Sequence, residues 1–219
     1  MIKLSPRLKA VLSFVKGSYL TDVGTDHGFL VIAACLEGVT KKAFACDISP
    51  GPLSKAEENI KRHGLKQQIT VRLGFGLQPV VPLEAECVVI AGMGGMRIID
   101  ILQKSPEITE NIQRLVVQPQ HDIPAVRRAL HTMGFGIIDE IMVKEDERFY
   151  TVIAAEHQEI TSTYTEMEYL LGKCLLDRRD KILWTYAERE LTRIEKYKAR
   201  TVSSSLAFKE TALKALLKT

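Results

Sequence analysis

Cysteine is sparse and scattered in this chain of 219 residues. Its four copies, Cys35, Cys46, Cys87 and Cys174, form no Cys-x-x-Cys pair and fall at no metal-ligand spacing. A disulfide framework and a zinc site are thereby excluded as organising features. Cys46 and Cys87 sit inside apolar strand-like runs and read as small core residues. No apolar stretch approaches the ~20 residues of a membrane span, and no basic-then-apolar leader opens the sequence. A reduced, cytoplasmic protein is expected, with no metal and no membrane partner. Internal repeats and low-complexity tracts are also absent. So is Gly-x-Gly-x-x-Gly, whose second glycine lets a backbone approach a pyrophosphate, and the case for a dinucleotide-dependent dehydrogenase goes with it. The remaining composition is that of a globular protein, 46% apolar, long enough for one α/β domain and an appendage.

Residues 18–28, Ser-Tyr-Leu-Thr-Asp-Val-Gly-Thr-Asp-His-Gly, carry the most information. A short apolar run ends at Asp22, Gly24 turns the chain, and Thr25, Asp26 and His27 precede Gly28. A second apolar run over 42–47 ends at another acid, Asp47, followed by Ile48. This layout puts a glycine turn at the tip of one strand and a carboxylate at the tip of its neighbour, where a nucleoside can lie with its ribose hydroxyls on the second acid. Acidic side chains in the turn would repel a pyrophosphate. A ligand carrying an ammonium and a sulfonium suits them, and S-adenosylmethionine carries both.

Ser5 before Pro6 reads as a helix cap, with Leu8, Val11, Leu12 and Val15 at helical spacing up to Lys16-Gly17. Strands are expected at 18–22, 42–47, 69–73, 87–91, 114–117, 137–143 and 149–155. Helices are expected from Phe29, over 52–63, after Gly95 and over 123–133. This alternation implies a parallel sheet covered on both faces. The final pair, joined by a charged turn at 144–148, implies one antiparallel edge strand. The expected fold is α/β: a Rossmann-like, mostly parallel seven-strand sheet, similar to that of S-adenosylmethionine-dependent methyltransferases, over residues 1–160.

Beyond that point the pattern turns helical. Leu170, Leu171, Leu175, Leu183, Tyr186, Leu191, Ile194 and Tyr197 recur at threes and fours, Thr201 to Ser205 reads as a turn, and 206–217 as a returning helix. A coiled-coil-like hairpin over 161–219 is expected. Residues 1–160 hold 18 Lys+Arg against 19 Asp+Glu, and 161–219 hold 12 against 8, so the net charge of +3 arises in the second segment. An arm with Lys173, Arg178, Arg179, Lys181, Arg189, Arg193, Lys196, Lys198 and Arg200 suits a polyanionic partner, and equally an ordinary solvated helix face.

Two further strand tips complete the candidate site. The third holds Gly74-Phe75-Gly76, within reach of an adenine edge, with Gln78 just beyond. The fourth holds Ala91-Gly92-Met93-Gly94-Gly95, whose glycines permit close approach of backbone to ligand. After the fifth strand, Gln118 and Gln120 are amides of the kind that read base edges. His121 and the helix bearing Arg127 and Arg128 follow.

Taken together, Asp-x-Gly-Thr-Asp-His at 22–27, Asp47-Ile48, Gly92-Met-Gly-Gly95 and Gln118-Pro119 resemble the bacterial tRNA (adenine-N1)-methyltransferases that act on adenine 22. The resemblance spans essentially the whole chain. It implies an S-adenosylmethionine-dependent enzyme methylating N1 of adenine in tRNA. The implied cofactor-binding residues are Asp22, Gly24, Thr25, Asp26, His27, Gly28, Asp47, Ile48, Gly74, Phe75, Gly76, Ala91, Gly92, Met93 and Gly94. Asp26 is the implied catalytic group with His27 as the alternative base, and Gly95, Gln118, Gln120, Arg127, Arg178 and Arg179 are expected on the substrate. Phe75 departs from the family, which carries a polar or acidic residue there. Two other readings stand beside this one: a methyltransferase with a small-molecule or protein substrate, and a non-catalytic RNA-binding or assembly protein. Turnover that needs RNA separates them. Monomer and weak dimer are both compatible with the sequence.

Overall fold

Capped helices alternate with short apolar strands through the first half of the chain. The computed structural model describes residues 2–158, 164–197 and 204–218. The expected segment boundary at 160, the start of the expected turn at 201–203, and the basic residues Lys198 and Arg200 lie outside them. The chain divides into two compact units, Met1–Thr161 and Ser162–Thr219.

Ser5 Oγ accepts the Leu8 amide and Pro6 opens α1 (Pro6–Ser13), the expected serine cap and proline start. The helix closes three residues before Lys16. The Phe14 and Val15 amides bond three residues back, to Val11 and Leu12, tightening the last turn. Further helices are α2 (Phe29–Leu36), α3 (Pro50–Arg62), α4 (Gly95–Gln103), a short α5 (Pro106–Thr109) and α6 (Ile123–Thr132). The strands are β1 (Tyr19–Val23), β2 (Lys42–Asp47), β3 (Ile69–Leu73), β4 (Cys87–Met93), β5 (Arg114–Pro119), β6 (Phe135–Glu145) and β7 (Arg148–His157), in the order 3-2-1-4-5-7-6. Strands β1 to β5 pair in parallel. In the middle of the sheet they read as unbroken apolar runs because helices cover both faces. Val88, Val89 and Ile90 of β4 are wholly buried, each stabilising the fold by roughly 1.5–3 kcal/mol.

Two expectations about the sheet are corrected. The antiparallel strand is not at the edge: β7 lies between β5 and β6 and is antiparallel to both, leaving β6 outermost. Phe149 and Tyr150 therefore belong to an interior strand, yet both are only half-buried at its start. Strand β4 also runs past Ala91. A bulge at Gly92, between the pairs Ala91–Gln118 and Met93–Pro119, carries it to Met93, and bulges of this kind re-aim a strand end beside a functional site.

The second unit is a set of helices broken more often than the apolar spacing suggests: α7 (Glu166–Leu171), α8 (Lys173–Asp177), α9 (Lys181–Tyr197) and α10 (Ser204–Leu216). Gly172 at φ 97° and Arg179 at φ 51° interrupt the first arm. Leu171, Leu175, Leu183, Ala187, Ile194, Leu213 and Leu216 are buried apolar residues drawn from both arms of the unit, and Lys209 on α10 bonds Glu190 on α9 at 2.7 Å. The basic arm is partly self-neutralised. Lys173 sits 3.1 Å from both Glu168 and Asp177, and Arg193 lies 2.6 Å from Glu190.

Candidate cofactor and substrate site

Parallel strands end together at one edge of the sheet, and the tips of β1 to β5 gather nearly every residue singled out from the sequence. The turn after β1 is welded to its neighbour: the amides of Gly24 and Thr25 both donate to the Cys46 carbonyl, at 2.8 and 3.0 Å. Neither amide is left for an anion. Gly24 adopts φ 79°, and a Cβ there would lie 2.1 Å from the Met93 methyl, so Met93 from the β4 tip lies over it. Gly28, at φ 69°, opens α2, and a Cβ would press on Ala56 of α3 at 3.2 Å.

Asp22 is 7% exposed. Burial pushes its carboxyl up to about 6, with a further upward push from Asp47, while the neighbouring Thr25 hydroxyl opposes the shift. That hydroxyl is buried, lies near enough to the Asp22 carboxyl to lower its pKa as a hydrogen-bond donor, and has no protein partner of good hydrogen-bond geometry among the described residues. Asp47 accepts the Ser49 amide at 2.7 Å through one oxygen and, through its carbonyl, the Gly74 amide at 2.9 Å. The tips of β2 and β3 are thus joined. A cavity of about 40 Å³ connects Gly24, Asp47, Ile48, Gly74 to Gly76 and Met93. Beneath it the Cys46 thiol is pushed up to about 12, chiefly by burial, and is no nucleophile. A larger hollow of about 600 Å³ beside α1 (Leu4, Lys9, Leu12, Glu37) is remote from these groups.

Asp26 and His27 follow in the same turn after β1. The Asp26 side chain is 74% exposed, with Oδ1 3.2 Å from His27 Nε2. His27 holds φ 60°, its carbonyl accepts Asn59 Nδ2 at 3.0 Å, and its ring stacks on Phe29 at 5.3 Å. Of the two, Asp26 is the more open to solvent.

At the other end, the β4 and β5 tips are zipped together. The Gln120 amide donates to the Met93 carbonyl at 2.8 Å and the Gly95 amide to the His121 carbonyl at 3.1 Å. The His121 ring lies against Gly94, where a Cβ would come within 2.6 Å, and its Nδ1 is 2.6 Å from Asp122 Oδ2.

Several expected substrate residues are corrected here. Gln118 is fully buried, its amide nitrogen donating to the Pro119 carbonyl at 3.0 Å and its oxygen accepting Arg7 Nη1 at 2.9 Å; it cannot read a base edge. Arg127 is 1% exposed and pairs with the buried Glu140 of β6, Nε to Oε1 at 2.7 Å, so it fastens α6 to the sheet. Gly95 is buried because the 121–126 segment packs onto it, leaving no face for a substrate. Gln120 is exposed at the rim of the β5 tip, and Arg178 and Arg179 are exposed in the second unit. Sequence reasoning missed Arg97 and Ile101, which line the same cavity one helical turn apart on α4; their i, i+4 spacing after the glycine run was the available signal. It also missed Arg7, for which no local signal exists.

A family model described as a methyltransferase domain matches residues 4–153. The tRNA (adenine(22)-N(1))-methyltransferase of Bacillus subtilis (strain 168) is 34% identical over 172 residues, covering 78% of this chain and 72% of that protein. The crystal structure of the B. subtilis m1A22 tRNA methyltransferase matches with a TM-score of 0.83 at 28% identity, over 100% of this chain and 98% of that one. That of Streptococcus pneumoniae Sp1610 in complex with S-adenosyl-L-methionine matches with a TM-score of 0.90 at 31% identity, over 98% and 100%.

Proposed function

The chain belongs to the tRNA (adenine(22)-N(1))-methyltransferase family, and from that premise we propose how its strand tips carry out the family's reaction. The enzyme methylates N1 of adenine in tRNA, at position 22, with S-adenosylmethionine as cofactor. The observation that supports this most directly is the buried Asp22 with the Thr25 hydroxyl beside it and Asp47 on the adjacent tip. A buried carboxyl with a spare acceptor suits an ammonium, and a second carboxylate at the next tip suits vicinal ribose hydroxyls. The residues fit the cofactor, which when bound supplies an electrophilic methyl on a sulfonium.

In this reading Asp22 and Thr25 hold the ammonium, Asp47 holds the ribose hydroxyls, and Ile48 with Phe75 offers apolar surface to the adenine. Met93 yields its place over Gly24. N1 of the target adenine bears an in-plane lone pair, so the site's main task is alignment rather than activation of a nucleophile. Alkylation there makes the purine cationic. Asp26, exposed in the turn after β1, stabilises that charge and accepts the N6 proton, restoring a neutral base; His27, in contact with Asp26, steadies it or relays the proton. The target sits on a pairing edge, so the nucleotide must leave its stack at a cost of a few kcal/mol.

Replacement Asp26→Asn tests the assignment. Turnover of unmodified tRNA, scored as 1-methyladenosine by nucleoside analysis, should fall about 10²- to 10⁴-fold while cofactor affinity by calorimetry stays unchanged. Near-normal turnover would remove Asp26 from the chemistry.

A further inference from the structure

Arg7 reaches the site from a distant part of the chain. It is the second residue of α1, yet its backbone N–H donates to Glu145 Oε2 of β6 at 2.8 Å and its Nη1 to Gln118 Oε1 of β5 at 2.9 Å. The guanidinium carbon lies 5.5 Å from the ring centroid of Tyr150 on β7. Gln118 is fully buried and its amide orientation is set by the bond from Nε2 to the Pro119 carbonyl, so its oxygen must face the arginine. Nη1 also stands 3.3 Å from where a Cβ on Gly92 would be, which puts the guanidinium against the bulge at the β4 tip. Its Nε and Nη2 donate to no group among the described residues.

Arginine keeps its charge at any working pH and offers two parallel N–H donors to an oxyanion. Here three strands and a buried amide hold such a fork at the very tips that face the reaction, while Gly92 leaves the approach free of a side chain. Packing alone does not require this, since α1 is already anchored by Ala10, Val11 and Leu12 in the core. A base is the wrong occupant. Arginine reads guanine through its paired acceptors, which adenine lacks, and a cation beside the ring would oppose the charge that N1 alkylation creates.

We propose that Arg7 is the centre of an oxyanion subsite at the β4 and β5 tips, positioned by Gln118 and Tyr150. It takes the carboxylate of the cofactor's methionine portion or a phosphodiester of the tRNA. The inference rests on the methyltransferase reading above, and its test separates the two sources. Wild type, Arg7→Ala and Arg7→Lys are titrated by calorimetry with S-adenosylmethionine and with its decarboxylated analogue, and with unmodified tRNA at several salt concentrations. If the carboxylate is the ligand, wild type prefers the intact cofactor on the order of 10- to 100-fold. Arg7→Ala then loses that preference, and Arg7→Lys recovers part of it. If a phosphodiester is the ligand, both cofactors bind all three proteins alike. Arg7→Ala then weakens tRNA binding by a similar factor and lowers the salt slope by about one phosphate. Thermal unfolding identifies a variant that has lost its fold, in which case Gln118→Leu, which frees the guanidinium without removing it, takes its place. Unchanged cofactor preference together with unchanged tRNA binding and salt slope, in folded variants, overturns the proposal. Failure of wild type to methylate tRNA would count against the reaction assignment instead, while the cofactor arm still reports on Arg7.

Discussion

Asp22→Asn should make the cofactor-free protein more stable and the enzyme worse. Burial favours the protonated carboxyl in the folded protein, so its pKa of about 6 stands above the ~3.9 of an aspartate in an unfolded chain. Below pH ~4 both states carry the proton and no difference arises. Between there and about 6 the unfolded chain ionises while the folded protein does not, so stability falls as pH rises. Above the folded pKa the loss is complete. At 1.36 kcal/mol per unit, a shift of about two units amounts to about 3 kcal/mol. An asparagine cannot ionise and escapes that penalty. Urea unfolding of wild type and variant across pH ~3.5 to 8, without cofactor, measures the difference directly. The two should converge at the acid end and separate by about 2–3 kcal/mol at pH 8, the variant being the more stable. The ammonium of the cofactor binds the ionised form, so wild-type affinity should also fall below about pH 6, whereas the variant should bind weakly at every pH. A stability difference that does not change with pH would refute the reasoning, because it would mean that Asp22 is ionised throughout or equally solvated in both states.

Two other substitutions follow from the same geometry. Arg127→Met removes the guanidinium that faces the buried Glu140 carboxylate and should cost about 3–5 kcal/mol, while adding Glu140→Leu should recover much of that; denaturant midpoints of the two singles and the double would show whether the losses simply add, contrary to expectation. Thr25→Val removes a buried hydroxyl that touches the Asp22 carboxyl without good hydrogen-bond geometry, so it should leave cofactor-free stability within about 1 kcal/mol while weakening cofactor binding about tenfold. A large drop in unfolding temperature without cofactor would mean that the hydroxyl is already bonded within the fold.

Features legible in the sequence were those with a local cause. Strands β2 and β3 stand where their apolar runs end, and the Ser5 cap, Gly24, Gly28 and both acids at the tips of β1 and β2 were readable because turns and strand ends write themselves in neighbouring residues. Strand insertion was not readable. Whether β7 pairs with β5 or lies outside β6 depends on packing across the sheet, and the hairpin signal is the same either way. Gln118 and Arg127 looked like substrate contacts because polar residues after a strand tip usually face solvent. Each is buried by a partner far away in sequence, Arg7 and Glu140. The strand-tip bulge at Gly92 was visible only as glycine abundance. The breaks at Gly172 and Arg179 escaped because apolar spacing continues through them.

The place of β7 also sets an order of assembly. Synthesised after every other strand of the sheet, it fills an interior position between β5 and β6. Until it emerges, β5 has an open flank and β6 has no neighbour, leaving two unsatisfied edges of the kind that invite pairing with other chains. The nascent sheet is thus vulnerable until its last strand docks. At ~5–20 residues per second, the helical unit that follows takes at least a few seconds to synthesise, a grace period in which the closing strand can find its slot while the growing chain is still held apart from its neighbours by the ribosome.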